Sequence, residues 1–370
     1  METDLLVFNS IQDRNKYEPV LDWLSNITRQ RRSTSAPPCI DLSMSQQTPF
    51  VRPQNSVPSA PSSAASSKIQ TDDPTYPSVL FGNGLIMDRS GTLVPQAVGE
   101  FLVGHILKSR ALHLANGQLQ NAVRVAANVM DSSEQLVHKI FRTAMFPTTR
   151  QGVVEGSGTS FTKEPLPATG FWGELSVPRP DIHLGFSTGQ STDFTMEQYT
   201  VITHPFAKPY TSPTTDNTFP FLIVEVKSET KGGTLWHAEN QAAGGGAHRV
   251  NSMQWLYRQA ELEPDAIKTL AFSICLTARQ AILYVHYYHS ESKQFRMSSA
   301  ESYSTTQAND IQKCNWHIQN ILDFAVSTRR TQIEGCLNKL YPIPEWWRLK
   351  KKRGSAASTP TASFSGASQG

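Results

Sequence analysis

The chain has 370 residues, of which 38% are hydrophobic and 9% aromatic, which is enough for one large domain with tails or for two modest domains. Its four cysteines form no CxxC pair, which excludes a disulfide framework of the secreted type and argues against a zinc site built on thiols. The sequence shows no signal-peptide pattern and no run of ~18 or more continuous apolar residues, so we expect a soluble intracellular protein without a membrane span.

The first 76 residues are predicted to be a mostly disordered arm. The stretch 33–68 is dense in Ser, Pro, Gln and Ala and has almost no periodic apolar pattern. Residues 16–30 are the exception, because their apolar side chains recur at helical spacing. This short helix is either a docking motif for a protein partner or a marginal helix within the arm.

The folded domain is predicted to span 77–343, with a helical N-terminal part over 77–147 and a sheet core over 171–340. Helices are predicted over 94–114, 119–129, 132–146, 248–261, 310–326 and 333–340. Strands are predicted over 172–177, 181–186, 219–227, 269–276 and 281–288. Three glycines, 244–246, are expected to break the stretch 236–261 and to allow close backbone approach beside Asn240 and Gln241. This order indicates an α/β or α+β fold on one mixed sheet.

The tail, 344–370, is basic and then of low complexity, and is predicted to be disordered. The net charge of the chain is +3, and the segment RLKKKR at 348–353 carries five positive charges, so the rest of the chain has a net charge of −2. The body is therefore not the strongly basic surface of a non-specific nucleic-acid coat. The tail is typical of a nuclear localisation signal or a phosphate-contacting arm, or else it is a solubilising tail.

The segment FPFLIVEVK at 219–227 is the most informative part of the chain. Side chains alternate between the faces of a strand, so Glu225 and Lys227 share one face while Val224 and Val226 share the other. Charged groups that end an apolar strand are costly to bury unless they are paired or bind something. The alternative is a strand-end ion pair or a solvated sheet edge.

A second carboxylate precedes a neighbouring predicted strand. In the segment RPDIHLGF, Asp181 and His183 fall on the face opposite Ile182. If this strand pairs with the first, Asp181 and Glu225 converge on one point, and Lys227 lies beside them. Two carboxylates with nearby waters suit Mg²⁺, and a lysine next to them could orient or deprotonate an attacking water. The alternative for Asp181 is a turn or strand-start residue.

Pro180-Asp181 followed by Glu225-Val226-Lys227 resembles the PD-(D/E)XK nuclease superfamily. The stretch 178–340, with the pieces RPD, FPFLIVEVK, AENQAAGGGA, LAFSI and AILYVHYY, is similar to a family of fungal PD-(D/E)XK-like proteins. The resemblance implies a restriction-endonuclease-like core, in which a central mixed β-sheet is flanked by helices. It also implies a nuclease that uses Mg²⁺ or Mn²⁺ and acts on DNA or RNA.

By that resemblance, Asp181 and Glu225 would be metal ligands and Lys227 the catalytic lysine. Gln241 matches the auxiliary glutamine of the superfamily, in the segment after the ExK strand. A further metal-binding carboxylate is expected from a preceding helix. Glu134 is the candidate for this carboxylate, and Glu100 is the reserve.

Other functions stay open at this level. The near-neutral body and the lack of an obvious DNA-binding module favour a nuclease-fold protein that no longer catalyses and binds nucleic acid or protein partners instead. A third reading is an interaction protein whose 16–30 helix captures the partner. His237 and His248 are expected to be satisfied histidines and not metal ligands, because no paired ligand spacing is visible.

Overall fold

The computed structural model describes residues 69–348, apart from 112, 129–132, 141, 143–144, 147–149, 169–172, 188–193 and 230–231. All of the described residues belong to one compact unit, Ala65–Gly370. The predicted 16–30 helix, the rest of the arm to residue 68 and the tail from 349 onward lie outside the described residues.

The described residues form a seven-stranded mixed sheet flanked by helices, which confirms the α/β class. The strands are β1 Leu85–Asp88, β2 Val153–Gly156, β3 Ile182–Phe186, β4 Thr218–Val226, β5 Ala271–Leu276, β6 Gln280–His289 and β7 Gln294–Ser304. The helices are α1 Tyr76–Gly82, α2 Gln96–Phe101, α3 Asn116–Asn128, α4 Glu134–Ile140, α5 Met196–Ile202, α6 Lys208–Thr211, α7 Leu235–Gln259, α8 Ala308–Phe324 and α9 Arg330–Lys339. Two π-helical turns, Leu102–Ile106 and Ala325–Arg329, continue α2 and α8.

The sheet order is β1-β7-β6-β5-β4-β3-β2. The pairs β1/β7 and β4/β5 are parallel, and the other neighbours are antiparallel. Strand β4 lies inside the sheet and all nine of its residues are buried. A near-continuous apolar run is what a strand needs when both of its faces are covered by protein. The same run made β4 recognisable from the sequence.

Two apolar clusters cover the two faces of the sheet. The larger one contains the Leu222 and Val224 side of β4 together with α8 and α9, represented by Ile318 and Leu337. The smaller one contains the alanines of α7 and the facing side chains of β5 and β6, among them Tyr284. The sheet is thus a middle layer between α7 and the pair α8 and α9.

Helix α7 has 25 residues and runs without a break through the three glycines at 244–246, so the expected break there was wrong. The glycines serve close packing instead. A Cβ at Gly245 would come within 2.5 Å of Ile223 Cδ1, and one at Gly246 within 2.0 Å of His286 Nδ1. At Gly245 and Gly246, packing of the backbone directly on the sheet offsets the roughly 1 kcal/mol that a glycine costs in a helix interior.

Several predicted elements differ from those observed. Residues 173–177 form only a single bridge at Gly173, so the strand predicted over 172–177 is wrong for its described part. Strands β1, β2 and β7 were not predicted. Strand β7 has the polar sequence QFRMSSAESYS, and its pairing with β6 and β1 makes it a strand despite that composition. The long polar segment before β4 contains the short helices α5 and α6.

The packed domain is wider than the predicted 77–343. Tyr76 and Trp347 are 1% and 2% exposed, so both belong to the core. The sheet also extends beyond the predicted 171–340, because β2 precedes that range and β1 lies in the part predicted to be helical. Strands β1 and β2 were missed because they pair with strands that are distant in the sequence, and a local sequence pattern does not reveal such pairing.

Cys275, Cys314 and Cys336 are buried free thiols. Within the described residues, no helix combines the length and apolar content needed to cross a bilayer.

Candidate metal centre

The pairing of β3 with β4 brings Asp181 opposite Glu225. The register joins Ile182 to Val224 and His183 to Ile223, so the next position outward sets residue 181 against residue 225. Residues directly opposite each other on neighbouring strands point to the same face. The convergence expected from strand alternation therefore holds for the backbone of both residues.

Asp181 is held in place by the end of β4. Its Oδ2 accepts a hydrogen bond of 2.7 Å from the backbone N–H of Val226 and lies 3.8 Å from the Nζ of Lys227. Lys227 Nζ also donates a hydrogen bond of 3.0 Å to the carbonyl of Val226. No described residue donates a hydrogen bond to the other carboxylate oxygen of Asp181, which leaves one oxygen available for a ligand.

Glu225 is 2% exposed, and no described residue forms a hydrogen bond or salt bridge with its carboxylate. Burial and then the nearby charge of Asp181 raise the pKa of Glu225 well above its ordinary value, the charge of Lys227 lowers it, and Glu134 raises it further. An unpaired buried carboxylate is expensive unless it is protonated or meets a cation. The carboxylate of Glu225 is thus suited to bind a cation.

Helix α4 brings Glu134 and His138 to Asp181. One ligand atom from each of these three half-buried side chains lies within 4.8 Å of the others. Glu134 and His138 are four residues apart, so they share one face of the helix. Glu225 is not in this mutually close set, although its pKa responds to both Glu134 and Asp181. Sequence reasoning named Glu134 and missed His138, which the spacing E-x-x-x-H on a predicted helix could have revealed.

Gln241 lies in the N-terminal half of α7, one turn before Gly245. Strands β4 and β5 are parallel, so the α7 crossover between them runs back against β4. Gly245 packs on Ile223. Gln241 Nε2 donates to Thr71 Oγ1 at 3.4 Å, and the Oε1 of the same side chain is buried without a hydrogen-bond partner.

The other candidates considered from the sequence lie elsewhere. Glu100 is on α2, where its Oε1 accepts a hydrogen bond of 2.8 Å from Gln96. His248 is buried, with Nε2 2.7 Å from the carbonyl of Thr162. His237 Nδ1 accepts a hydrogen bond of 3.0 Å from the backbone N–H of Thr234 at the start of α7. Both histidines are satisfied, as expected.

A cleft of about 590 Å³ opens at Asp181. It is lined by residues of α4 and the segment after it, of the loop after β2 and of the position just before β3: Gln135, His138, Lys139, Arg142, Ser157, Gly158 and Asp181. Arg142 also forms an ion pair with Glu155. Two basic side chains therefore border the cleft on the α4 side, next to the carboxylates, and an anionic ligand could approach there.

The donor set fits a divalent cation. Asp181 and Glu134 offer carboxylate oxygens, His138 offers a ring nitrogen, and the buried Glu225 forms no hydrogen bond or ion pair with a described residue. Oxygen ligands of this kind bind Mg²⁺ or Mn²⁺, and the nitrogen adds affinity for first-row transition metals. All four side chains come from one continuous run of elements, α4-β2-β3-β4.

No curated protein matches the chain. A family model, described as a domain of unknown function (DUF7924), matches residues 94–337, which include every residue of the candidate metal centre and more than half of the 370 residues. The chain therefore belongs to the DUF7924 family.

Proposed function

We propose that this protein is a metal-dependent nuclease that hydrolyses phosphodiester bonds in nucleic acid. The observation that carries the proposal is the placement of Asp181 opposite Glu225, with Lys227 3.8 Å from Asp181. The run α4-β2-β3-β4-α7-β5, in which a helix precedes an antiparallel three-stranded unit and α7 leads to a parallel strand, supports a restriction-endonuclease-like core.

In this proposal, Asp181 and Glu225 hold Mg²⁺ or Mn²⁺, with Glu134 as the helix carboxylate. The bound cation would supply Lewis-acid activation of water and charge stabilisation at the phosphate. Val226 fixes the carboxylate of Asp181 through its backbone N–H. Lys227 orients the attacking water through its ammonium group, or stabilises the charge that develops on the phosphate oxygens as the P–O bond breaks.

Gln241 is proposed to contact the same water or phosphate, since its Oε1 has no hydrogen-bond partner. Lys139 and Arg142 on the cleft wall are suited to contact the phosphate backbone of DNA or RNA. The basic segment at 348–353 supports an intracellular, nuclear location and could add phosphate contacts.

The test is cleavage of single- and double-stranded DNA and RNA in the presence of Mg²⁺ or Mn²⁺. Lys227→Ala and Asp181→Asn are each expected to lower the cleavage rate about 100-fold or more, the usual effect of losing a positioned proton-transfer or charge-stabilising group. Lys268→Ala is the matched control, because Lys268 pairs with Asp265 on an exposed surface, and it should cleave like the wild type.

Equal cleavage rates for the wild type and Lys227→Ala, or no cleavage by either protein, would contradict the proposed nuclease activity. If neither protein cleaves, we propose instead a nuclease-fold module that binds nucleic acid or protein without catalysis. The near-neutral charge of the body favours this alternative. Binding of labelled DNA and RNA to the wild-type protein without cleavage would then support that alternative.

A further inference from the structure

We infer that His138 is a direct metal ligand and that the centre selects a first-row transition cation, such as Mn²⁺, over Mg²⁺. The inference deepens the proposed function, on which it rests for the presence of a metal, but it does not depend on nucleic-acid cleavage. It names a ligand and a class of cation that the Asp181, Glu225 and Lys227 pattern does not include.

The first observation is the distance between the ligand atoms. Metal–ligand bonds of about 2.1 Å place donors on opposite sides of one ion about 4.2 Å apart. The ligand atoms of Glu134, His138 and Asp181 lie within 4.8 Å of one another, so small rotations of the side chains bring all three onto one cation.

The second observation is independent of that distance. Glu225 is 2% exposed, has no hydrogen bond or ion pair with any described residue, and lies opposite Asp181 in the pairing of β3 with β4. A buried carboxylate without such a partner, on the strand next to Asp181, favours a bound cation. Lys227 lies 3.8 Å from Asp181, and a divalent cation would add further positive charge beside the carboxylates.

The choice of cation follows from the nitrogen donor. Mg²⁺ prefers an all-oxygen octahedral shell that keeps several waters, whereas first-row transition metals accept imidazole nitrogen together with carboxylate oxygen. His138 also lines the cleft, so its ring faces the same space as Asp181. A centre with one imidazole and carboxylates should therefore bind Mn²⁺ more tightly than Mg²⁺.

The experiment uses the full chain and Mn²⁺ as the probe. Electron paramagnetic resonance measures free Mn²⁺ during a titration, and Mg²⁺ is then added as a competitor. For the wild type, we expect Mg²⁺ to displace Mn²⁺ only at about tenfold excess or more. Pulsed measurements on the bound Mn²⁺ should show coupling to a directly bonded nitrogen, which is a readout that needs no variant.

His138→Ala is expected to weaken Mn²⁺ binding about tenfold or more while Mg²⁺ binding changes much less. His138→Asp replaces the imidazole nitrogen ligand by a carboxylate oxygen. The metal preference should shift toward Mg²⁺, and bound Mn²⁺ should no longer show coupling to nitrogen. His289→Ala is the control, because His289 lies at the end of β6, outside the candidate metal centre, and its Nδ1 is hydrogen-bonded to Ser292 Oγ.

Three results would overturn the inference: no Mn²⁺ binding by the wild type, bound Mn²⁺ without nitrogen coupling, or an unchanged Mn²⁺/Mg²⁺ preference in both His138 variants. The cleavage assay is separate. Nitrogen coupling without cleavage would support His138 as a metal ligand and contradict the proposed nuclease activity. Cleavage without nitrogen coupling would support the nuclease activity and contradict His138 as a ligand.

Discussion

At the scale of single residues, burial on the α7 side of the sheet moves acids and bases in opposite directions. It raises the pKa of Glu225 well above its ordinary value, and it lowers the pKa of His286 to about 3. In both cases the low-dielectric interior disfavours the charged form. His286 is 1% exposed and its Nε2 lies 2.7 Å from Ser273 Oγ, so the neutral ring is satisfied by a hydrogen bond. The histidine is structural, whereas Glu225 has no such partner.

The lowered pKa of His286 predicts a loss of stability in mild acid. The unfolded chain takes up a proton near the ordinary pKa of 6.5, and the folded chain does so only near 3, so stability is lost as pH falls through this window. Between pH 7 and 5, His286 should account for about 2 kcal/mol of the wild-type decrease. Urea unfolding at both pH values checks this.

In His286→Gln the same drop in pH should cost about 2 kcal/mol less than in the wild type. His289→Gln provides the comparison, because His289 lies at the end of β6 in a hairpin position. An identical pH dependence of wild type and His286→Gln would contradict the assigned protonation of this ring.

At the scale of elements, α7 positions the site because its backbone can approach the sheet. The glycines remove the Cβ atoms that would hold the helix away from Ile223 and His286. The backbone of α7 therefore packs directly on β4 at Gly245 and on β6 at Gly246. The same residues that look like helix breakers in the sequence are what permits the helix to lie here.

Substitutions within this glycine run should therefore have opposite signs. Gly246→Ala places a Cβ within 2.0 Å of the His286 ring and should destabilise the protein by about 1–3 kcal/mol through overpacking. Gly244→Ala meets nothing closer than 3.9 Å and should stabilise by up to about 1 kcal/mol through helix propensity. Chemical unfolding of both variants measures the difference, and equal effects would count against direct backbone packing.

At the scale of the whole molecule, the domain ends in an aromatic cluster after α9. Trp347 packs against Phe206 and Trp255, with ring centroids 5.2 and 5.8 Å away. Its Nε1 donates to Gln259 Oε1 at 3.4 Å, at the C-terminal end of α7. The segment before the basic tail is thus anchored to the helix whose other end carries Gln241.

Two truncations distinguish the contribution of Trp347 to stability from that of the tail, residues 349–370. Removal of residues 349–370 should leave the stability of the domain unchanged, because every contact described for Trp347 is kept. Removal of 344–370 also takes away a tryptophan that is 2% exposed and should cost about 3–5 kcal/mol. Thermal unfolding distinguishes the two, and equal stability of both truncations would show that the predicted end at 343 was adequate.

The prediction of the fold succeeded where the local pattern was strong. Strand β4 is an apolar run, and α8 has an amphipathic period, so both were predicted to within two residues. Strand β7 was missed because its polar sequence becomes a strand only through pairing with two neighbours. The break predicted in α7 was wrong because the packing of Gly245 and Gly246 on the sheet offsets their low helix propensity, whereas the close backbone approach expected at these glycines is observed.

The sequence by itself determined which side chains share a face. Alternation along β4 sets Glu225 and Lys227 together, and alternation along β3 sets Asp181 with His183, whatever the rest of the fold does. Tertiary structure decided what those faces meet: the 182-to-224 register that opposes Asp181 to Glu225, and the approach of α4 that adds His138 to Glu134 and Asp181. Side-chain direction is a property of local backbone geometry, whereas register and helix approach depend on burial and pairing between segments far apart in the chain.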